Sequence, residues 1–333
     1  MTGTVPLRIA VIGCGVFTRR YHLPAIEADG AADLVAIVDP ACDSEPIVAA
    51  GRRHGAALLP SMEHLLAGVP PDAAIISSPT ALHAPHAEAL LARGVAVLVD
   101  KPFVLTTHDA EKLTGLAAKH GVLAGVGFNR RVDPGFLRAR AMLAEGGIGT
   151  LRQVETTQFG AAYGGWKNDP ALAGGGPFQG RGAHMADIVP WLTGAMPRRL
   201  RASVTPRGPG EVDAGGHVHA IFDGFTWHMT CVGEGVRLWD EVRLFGDAGV
   251  LDLMRPLPAD VGWGLALTRA DGSRKELVPA DTRPGAVTAN FLAALRGDAT
   301  LACPFGEAVR SVRIIEAAFR AARTGTAIAL ADD

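Results

Sequence analysis

Hydrophobic residues in the first 128 positions occur in short runs that alternate with longer amphipathic stretches. Such alternation is typical of buried parallel strands joined by helical crossovers. The predicted strands are Arg8–Ile12, Leu34–Val38, Ala73–Ser77, Ala96–Val99 and Leu123–Val126. Helices are predicted between them, for example at Ala81–Arg93 and Asp109–His120, each followed by a glycine suited to a C-cap. The pattern predicts an α/β domain with a doubly wound parallel sheet over residues 1–128.

The pattern changes after Gly146–Gly147, where short strand-like segments are separated by turns rather than by helices. The predicted strands are Arg152–Phe159, Arg198–Thr205, His217–Ile221, Thr226–Cys231, Glu241–Phe245 and Gly264–Thr268. Helices are predicted near Pro134–Glu145, near His184–Leu192 and at Gly306–Arg323, the last with an apolar stripe typical of core packing. We therefore predict a second, α+β domain with a mostly antiparallel sheet over residues 129–333. Its final helix could pack back on the first domain.

Composition narrows the function classes. The chain has 333 residues, 48% of them hydrophobic, which suffices for two domains with hydrophobic cores. Lys and Arg number 32 against 34 Asp and Glu, and this balance argues against a nucleic-acid or membrane-surface partner. The four cysteines are far apart, so neither a disulfide framework nor a metal site is predicted. With no basic segment before the first apolar run, we expect a soluble protein of the reducing cytoplasm.

A nucleotide-binding signal follows the first strand. Gly13 and Gly15 permit a tight turn and a close approach of the backbone to a pyrophosphate at a helix N-terminus, although Thr18 replaces the third glycine of the usual Rossmann pattern. Asp39 ends the second strand, where an acid accepts hydrogen bonds from the adenosine ribose and repels a 2′-phosphate. The sequence predicts NAD as cofactor in preference to NADP. A simple strand-end turn at Asp39 is the alternative.

Lys101 follows the fifth strand in the run Val99-Asp100-Lys101-Pro102. The carboxyl end of a buried strand is where doubly wound sheets bind ligands. Taken alone, a lysine after a strand is more often simply solvated. The surrounding motifs decide between these interpretations.

These motifs together resemble the glucose–fructose oxidoreductase and inositol dehydrogenase family (Gfo/Idh/MocA). They are Ser77-Ser78-Pro79-Thr80 with His83, Val-Leu-Val-Asp-Lys-Pro, Gly127-Phe128-Asn129-Arg130-Arg131, Gly174-Gly175-Gly176 through His184-x-x-Asp187, and the tail Glu307–Gly325. The resemblance covers nearly the whole chain and implies that Lys101 reaches the reacting oxygen. Asp100 replaces the glutamate of the family's E-K-P motif. The resemblance also implies a cis Lys101–Pro102 peptide.

The resemblance and the glycine motif together give a set of expected site residues. Lys101 and His184 are expected to be catalytic. The expected cofactor-binding residues are Gly13, Gly15, Val16, Phe17, Asp39, Ser78, Pro79, His83, Asp100, Lys101 and Asn129. The expected substrate-binding residues are Lys101, Asn129, Tyr163, Trp166, Lys167, Arg181, His184 and Asp187. For Asn129 a turn role, and for Trp166 an anchoring role in its loop, remain open.

One position departs from the family pattern. Relatives carry a relay aspartate where this chain has Gly180, and glycine can neither accept a proton nor orient His184. Three interpretations follow. His184 acts with Lys101 without a carboxylate, or Arg181 binds an anionic or strongly polar group of the substrate, or the site no longer performs simple dehydrogenation.

The function implied is hydride transfer between a nicotinamide and a hydroxyl or keto carbon of a sugar, cyclitol or related polyol. One alternative is an enzyme that uses tightly bound NAD for transient oxidation, leading to epimerisation, elimination or glycoside cleavage. Another is a regulator that binds NAD without catalysis. Because one face of the antiparallel sheet is expected to be open, and such faces pair subunits in this family, we also expect a homodimer or homotetramer.

Overall fold

The computed structural model describes residues 5–235, 238–255, 262–279 and 285–330. Contacts divide the chain into two units, Met1–Phe128 with Pro284–Val309, and Asn129–Arg283 with Arg310–Asp333. In the described part of the chain, no helix has the length and apolar character needed to cross a membrane.

The strands and helices are numbered in chain order. The strands are β1 Leu7–Ile12, β2 Ala32–Val38, β3 Ala57–Leu59, β4 Ala73–Ile76, β5 Ala96–Val99, β6 Ala124–Val126, β7 Leu151–Phe159, β8 Arg199–Thr205, β9 Gly215–Ile221, β10 Thr226–Val232, β11 Trp239–Gly246, β12 Gly249–Arg255, β13 Gly264–Arg269, β14 Arg274–Val278 and β15 Ile328–Ala329. The helices are α1 Leu23–Asp29, α2 Glu45–His54, α3 Met62–Ala67, α4 His83–Leu91, α5 Thr107–His120, α6 Pro134–Ala144, α7 Pro170–Ala173, α8 Pro177–Thr193, α9 Ala286–Leu295 and α10 Phe305–Thr324.

The first unit contains a six-stranded sheet in the order β3-β2-β1-β4-β5-β6, with every neighbouring pair parallel. The doubly wound fold predicted from the sequence is confirmed. The strand order reverses between β1 and β4, and ligands of such sheets bind at the carboxyl ends of the strands beside that point. Gly13 follows β1 and Ser77 follows β4, so both lie at this edge.

The core of the first unit takes in a segment from late in the chain. Phe291 and Leu292 of α9 are fully buried together with residues of the parallel sheet such as Val11 and Ile75. The sequence-based boundary assigned this segment to the domain 129–333, whereas the structure places 284–309 in the first unit. Burial of the apolar face of α9 accounts for the difference.

The second unit contains a nine-stranded sheet in the order β14-β13-β12-β11-β7-β10-β9-β8-β15. Only the β7–β10 pair is parallel among the described pairs, so the expectation of a mostly antiparallel sheet is confirmed. Helices α6 and α8 contact this sheet. The strands β12, β14 and β15 were not predicted.

The last helix, α10, contributes to two cores. Near its start, the Phe305 ring lies 4.3 Å from the Phe103 ring, measured between centroids, in the first unit. Farther along, Ile314, Ile315 and Ala318 are buried in the core of the second unit. The apolar stripe predicted for this helix is therefore buried in hydrophobic cores, as expected for core packing.

Candidate active site

Gly13 shapes the turn that follows β1. Its φ angle is +88°, a value that L side chains rarely adopt, and a Cβ atom there would lie 2.7 Å from the Ser77 carbonyl oxygen. Only glycine allows the loops after β1 and β4 to approach this closely. No atom lies within 4 Å of a Cβ atom placed on Gly15, which is exposed. The backbone at Gly15 is therefore open to a phosphate, as the motif predicts.

The helix after the glycines starts with a π-helical turn, Thr18–His22. Thr18 is completely buried, and its hydroxyl donates to the Gly13 carbonyl at 2.8 Å. This bond closes the turn at the position where the usual motif has its third glycine. Val16 and Phe17 are 70% and 41% exposed, which is unusual for large apolar side chains and leaves them available to a ligand.

Asp39 lies beside the same loop. Its Oδ2 accepts from the Cys14 backbone N–H at 2.8 Å, and its Oδ1 accepts from the Ala41 N–H at 2.9 Å. The carboxylate is thus fixed against the glycine turn and half-buried. Each carboxylate oxygen has two lone pairs, so both oxygens retain capacity to accept from ribose hydroxyls.

The segment after β4 is held by two histidines of α4. His83 is 2% exposed, and its Nε2 lies 2.8 Å from the Ser78 carbonyl oxygen. Its Nδ1 lies 2.9 Å from the Pro102 carbonyl oxygen, so the ring connects the loops after β4 and β5. His86 Nδ1 lies 3.1 Å from the Ser78 hydroxyl, and burial together with the charge of His83 lowers the pKa of His86 to about 4. Pro79 is half-buried in this segment.

Asp100 and Lys101 follow β5. The Asp100 carboxylate accepts from Ser77 Oγ at 2.5 Å and lies 3.1 Å from His22 Nε2. Burial alone would raise the pKa of Asp100, but the charge of His22 and the hydrogen bonds from His22 and Ser77 outweigh it and lower that pKa. Lys101 is half-buried, and the Lys101–Pro102 peptide is cis, as the resemblance implied.

In the second unit, the predicted catalytic segment lies on α8, which begins earlier than predicted, at Pro177 rather than near His184. Asp213, from a distant loop, accepts from the backbone N–H groups of Gly176 and Phe178 at 2.6 and 2.8 Å. These bonds satisfy two of the donors at the start of the helix. Burial raises the pKa of Asp213 in spite of those bonds.

Arg181 ties α8 to the ends of two strands. Its guanidinium donates to the carbonyl oxygens of Ala161 at 2.6 Å, Val232 at 3.0 Å and Gly160 at 3.4 Å. The Tyr163 ring centroid lies 4.7 Å from the guanidinium carbon. Much of the donor capacity of Arg181 is therefore used inside the protein.

Gly180 lies against Tyr163. A Cβ atom on residue 180 would be 2.7 Å from the Tyr163 hydroxyl oxygen, so the tyrosine occupies the space that a side chain at this position would need. Burial raises the pKa of Tyr163, and the charge of Arg181 only partly opposes this. Lys167 Nζ lies 5.2 Å from the Tyr163 ring centroid and 5.8 Å from that of Trp166, which is exposed.

His184 and Asp187 lie three residues apart on α8 but differ in their surroundings. His184 is half-buried. Asp187 is 2% exposed and forms an ion pair with Arg131, whose Nη2 lies 2.6 Å from Oδ1. Nε of Arg131 also donates to the carboxylate, so the pair is bidentate. Asn129, at the start of the 3-10 turn that contains Arg131, is exposed.

Two family models match this chain. One describes an oxidoreductase family with an NAD-binding Rossmann fold and covers residues 7–128, and the other describes the GFO/IDH/MocA C-terminal domain and covers residues 136–252. The chain belongs to the GFO/IDH/MocA oxidoreductase family. The resemblance stated from the motifs is thereby confirmed, as is NAD as the cofactor type of the first domain.

The similarity to individual members of the family is moderate in sequence identity. The chain is 33% identical to myo-inositol dehydrogenase Hyg17 of Streptomyces leeuwenhoekii over 56% of each chain. It is 26% identical to the uncharacterized oxidoreductase YdgJ of Escherichia coli over 98% of this chain and 99% of the relative. The crystal structure of aldose-aldose oxidoreductase from Caulobacter crescentus, complexed with glycerol, gives a TM-score of 0.85 at 24% identity, covering 98% of this chain and all of that chain. The first two curated relatives align over only about half of their own length.

Four polar residues that were not predicted as site residues support the expected site directly or through a neighbour. His22 and Ser77 contact Asp100, Thr288 contacts His22, and Asp213 caps α8. His22 carried no ligand-like spacing in the sequence. Asp213 lies in a segment with no periodic pattern, and Thr288 lies 266 positions from its partner. Ser77 belongs to the Ser77-Ser78-Pro79-Thr80 motif, whereas no sequence signal indicated the contacts of the other three residues.

Proposed function

We propose that this chain is an NAD-dependent dehydrogenase of a sugar, cyclitol or related polyol, which interconverts a hydroxyl and a keto group. The observation that carries the proposal is the position of Lys101, which directly follows the anchored Asp100 at the carboxyl end of β5 in the NAD-binding fold. The name of the inositol dehydrogenase relative supports the substrate class. Because this relative aligns over only 56% of its length, the activity of the whole chain remains our proposal.

The residues of the glycine loop fit NAD. The open backbone at Gly15 suits the pyrophosphate, and Asp39 is placed to accept hydrogen bonds from ribose hydroxyls. A fixed carboxylate there would repel the 2′-phosphate of NADP. When bound, the nicotinamide supplies the acceptor or donor of the hydride.

In this proposal Lys101 handles the oxygen of the reacting carbon. The protonated form of the lysine donates to and polarises a carbonyl oxygen, and the neutral amine form, which partial desolvation of a lysine favours, accepts the proton of an alcohol. During oxidation, the lysine accepts the hydroxyl proton while the hydride leaves the carbon. During reduction, it returns the proton to the oxygen. Asn129, exposed after β6, is proposed to bind the nicotinamide or the substrate.

We assign His184 as the second group that handles the proton, without a carboxylate at position 180. An imidazole titrates near neutrality without help from a carboxylate. The three backbone carbonyls bonded to Arg181 favour this interpretation over an anion-binding role for that arginine. The buried ion pair of Asp187 with Arg131 favours a packing role for Asp187. Tyr163, Trp166 and Lys167 are proposed to contact the polyol.

Turnover can be tested by following NADH absorbance with a panel of sugars and cyclitols. Stoichiometric NADH per substrate consumed supports the proposal, and wild type and His184→Ala should differ by 10²-fold or more if His184 transfers the proton. Consumption of substrate without net NADH would favour the second candidate, transient oxidation by tightly bound NAD. The absence of a side chain at Gly180 is the observation that keeps this candidate open.

We further propose that subunits associate through the face of the nine-stranded sheet opposite α6 and α8. Exposed residues of neighbouring strands, including His217 and His228, lie on this face, where the ring centroids of His219 and His228 are 4.6 Å apart. Antiparallel sheets with one uncovered face commonly use it for association. Light scattering after size exclusion would give the mass, and a monomer at micromolar concentration would contradict this proposal.

A further inference from the structure

We infer that two buried histidines, His22 and His83, are positioning residues for Lys101, an inference that rests on the proton-transfer role proposed for that lysine. His22 contacts the residue before Lys101, and His83 contacts the two residues after it. Both imidazoles are at most 2% exposed. They would therefore act through the protein rather than by touching substrate.

The first connection runs through Asp100. His22 Nε2 lies 3.1 and 3.2 Å from the two carboxylate oxygens, and Ser77 Oγ donates to one of them at 2.5 Å. The side chain of Asp100 is 14% exposed. An ionised carboxylate only accepts, so Nε2 of His22 must carry the proton of this hydrogen bond. The Asp100 carboxylate, next to Lys101, is thus held by Ser77 after β4 and by His22 of the π-helical turn.

His22 is itself fixed at its other nitrogen. Nδ1 lies 2.7 Å from Thr288 Oγ1, and both residues are completely buried. With Nε2 protonated, Nδ1 accepts from the Thr288 hydroxyl when the ring is neutral and donates to it when the ring is charged, so the hydrogen bond exists in either state. His22 ends the π-helical turn Thr18–His22. Such turns are rare in proteins, and those that occur are often found at functional sites. A threonine of α9 therefore fixes the position of the ring that contacts Asp100.

The second connection runs through His83. Its Nδ1 lies 2.9 and 3.0 Å from the carbonyl oxygens of Pro102 and Phe103, and its Nε2 lies 2.8 Å from the Ser78 carbonyl oxygen. Carbonyl oxygens only accept hydrogen bonds, and a neutral imidazole has one N–H. Burial lowers the pKa of His83, so the ring is neutral and has a single N–H, which we place on Nδ1, where it donates to the segment after Lys101.

Together the two rings hold residues 100–103 from both ends, and Lys101 lies between the held positions. A displacement of about 1 Å in a catalytic group can cost about 10²-fold in rate. Loosening either end should therefore lower kcat.

The sharpest test uses Thr288, which can be changed without altering a residue of the proposed site. Thr288→Val keeps the shape of the side chain and removes the hydroxyl, and Thr288→Ser keeps the hydroxyl. We expect Thr288→Val to lower kcat by up to about tenfold, the fold-change that corresponds to one hydrogen bond. Thr288→Ser should retain near wild-type kcat. Both should bind NAD with a Kd within about twofold of wild type, because Thr288 is not one of the expected cofactor-binding residues and its hydroxyl is hydrogen-bonded to His22.

His22→Gln and His83→Gln extend the test to the rings, and Ile26→Val, a buried methylene deletion on α1, serves as the control for a small loss of packing. We expect both glutamine variants to lower kcat by about 10²-fold, and His22→Gln, which alters no expected cofactor-binding residue, to change the KM for NAD little. Should His22→Gln fail to fold, the Thr288 pair tests the same connection through Asp100; for His83, the exchange rates of the segment after Lys101 in a His83→Asn variant serve in the same way. The inference is wrong if Thr288→Val and Thr288→Ser have equal kcat, or if the glutamine variants lose no more than Ile26→Val.

Hydrogen exchange measured by mass spectrometry separates this inference from the proposed function. The amides of residues 100, 101, 103 and 104 should exchange faster in Thr288→Val, His22→Gln and His83→Gln than in wild type, and at the wild-type rate in Ile26→Val. This readout needs no turnover. If Lys101→Ala keeps its activity, the proposed role of the lysine fails. If exchange in the segment is unchanged in all three variants, the positioning role fails whatever the activity.

Discussion

Replacing Gly180 by alanine tests whether Tyr163 occupies the space beside α8. The new Cβ atom would lie 2.7 Å from the tyrosine hydroxyl oxygen, about 0.7 Å short of the 3.4 Å at which ordinary contact begins. Overpacking of this kind costs about 1–3 kcal/mol. Alanine in a helix is about 1 kcal/mol more favourable than glycine. In the wild-type background, Gly180→Ala should therefore change the free energy of unfolding by between zero and a loss of about 2 kcal/mol.

Tyr163→Phe removes the hydroxyl that makes the 2.7 Å approach and leaves ring carbons at 3.2 and 3.3 Å. In this background Gly180→Ala should stabilise the protein by up to about 1 kcal/mol, so the double-mutant cycle should give a coupling of about 1 kcal/mol or more. Urea unfolding of the four proteins measures it. Equal stabilisation in both backgrounds would refute the placement of Tyr163. For the same steric reason, Gly180→Asp should not raise turnover.

Three further results are expected. Wild type should prefer NAD, and Asp39→Ala should narrow the ratio of KM values for NADP and NAD; a tenfold preference of wild type for NADP would refute the role of Asp39. Asp187→Ala should lower the free energy of unfolding by about 3–5 kcal/mol because it leaves Arg131 buried without its charge partner, whereas a higher KM with normal stability would indicate substrate binding. Because its pKa is lowered on folding, Asp100 stabilises the fold above its ordinary pKa of 3.8, and this contribution is lost as the pH falls further. Asp100→Asn should therefore be less stable than wild type at pH 7, and urea unfolding should show the difference shrinking below about pH 4.

The sequence predicted those strands and helices whose own run of apolar residues is buried in the structure. All five strands proposed for the parallel sheet are present to within a residue or two, because each is a short apolar run between turns. Strand β3 has only three residues and none of them is fully buried, so it left no apolar run to detect. Glycines at positive φ, such as Gly94 and Gly121, lie just after α4 and α5, where the C-cap argument placed them.

Features fixed by distant residues could not be predicted. Helix α8 starts before His184 because Asp213, 37 positions from Gly176, caps it. The part of α8 before His184 contains two glycines, Gly180 and Gly182, which weaken the helical pattern in the sequence. The assignment of 284–309 likewise depends on burial of α9 against the parallel sheet, which no local pattern encodes. The same holds for the candidate site: the lysine motif and His83 were evident in the sequence, whereas the contact of His22 with Asp100 was not.

Lys101→Ala, measured by NADH formation with a polyol that the wild type oxidises, tests the central claim most directly. Positioned acid–base groups contribute about 10²–10⁴-fold, so the variant should lose at least about 99% of kcat. NAD binding, followed by calorimetry, should be nearly unchanged because the glycine loop and Asp39 remain intact. Lys101→Ala that keeps more than about a tenth of wild-type turnover would contradict a role for this lysine in moving the proton.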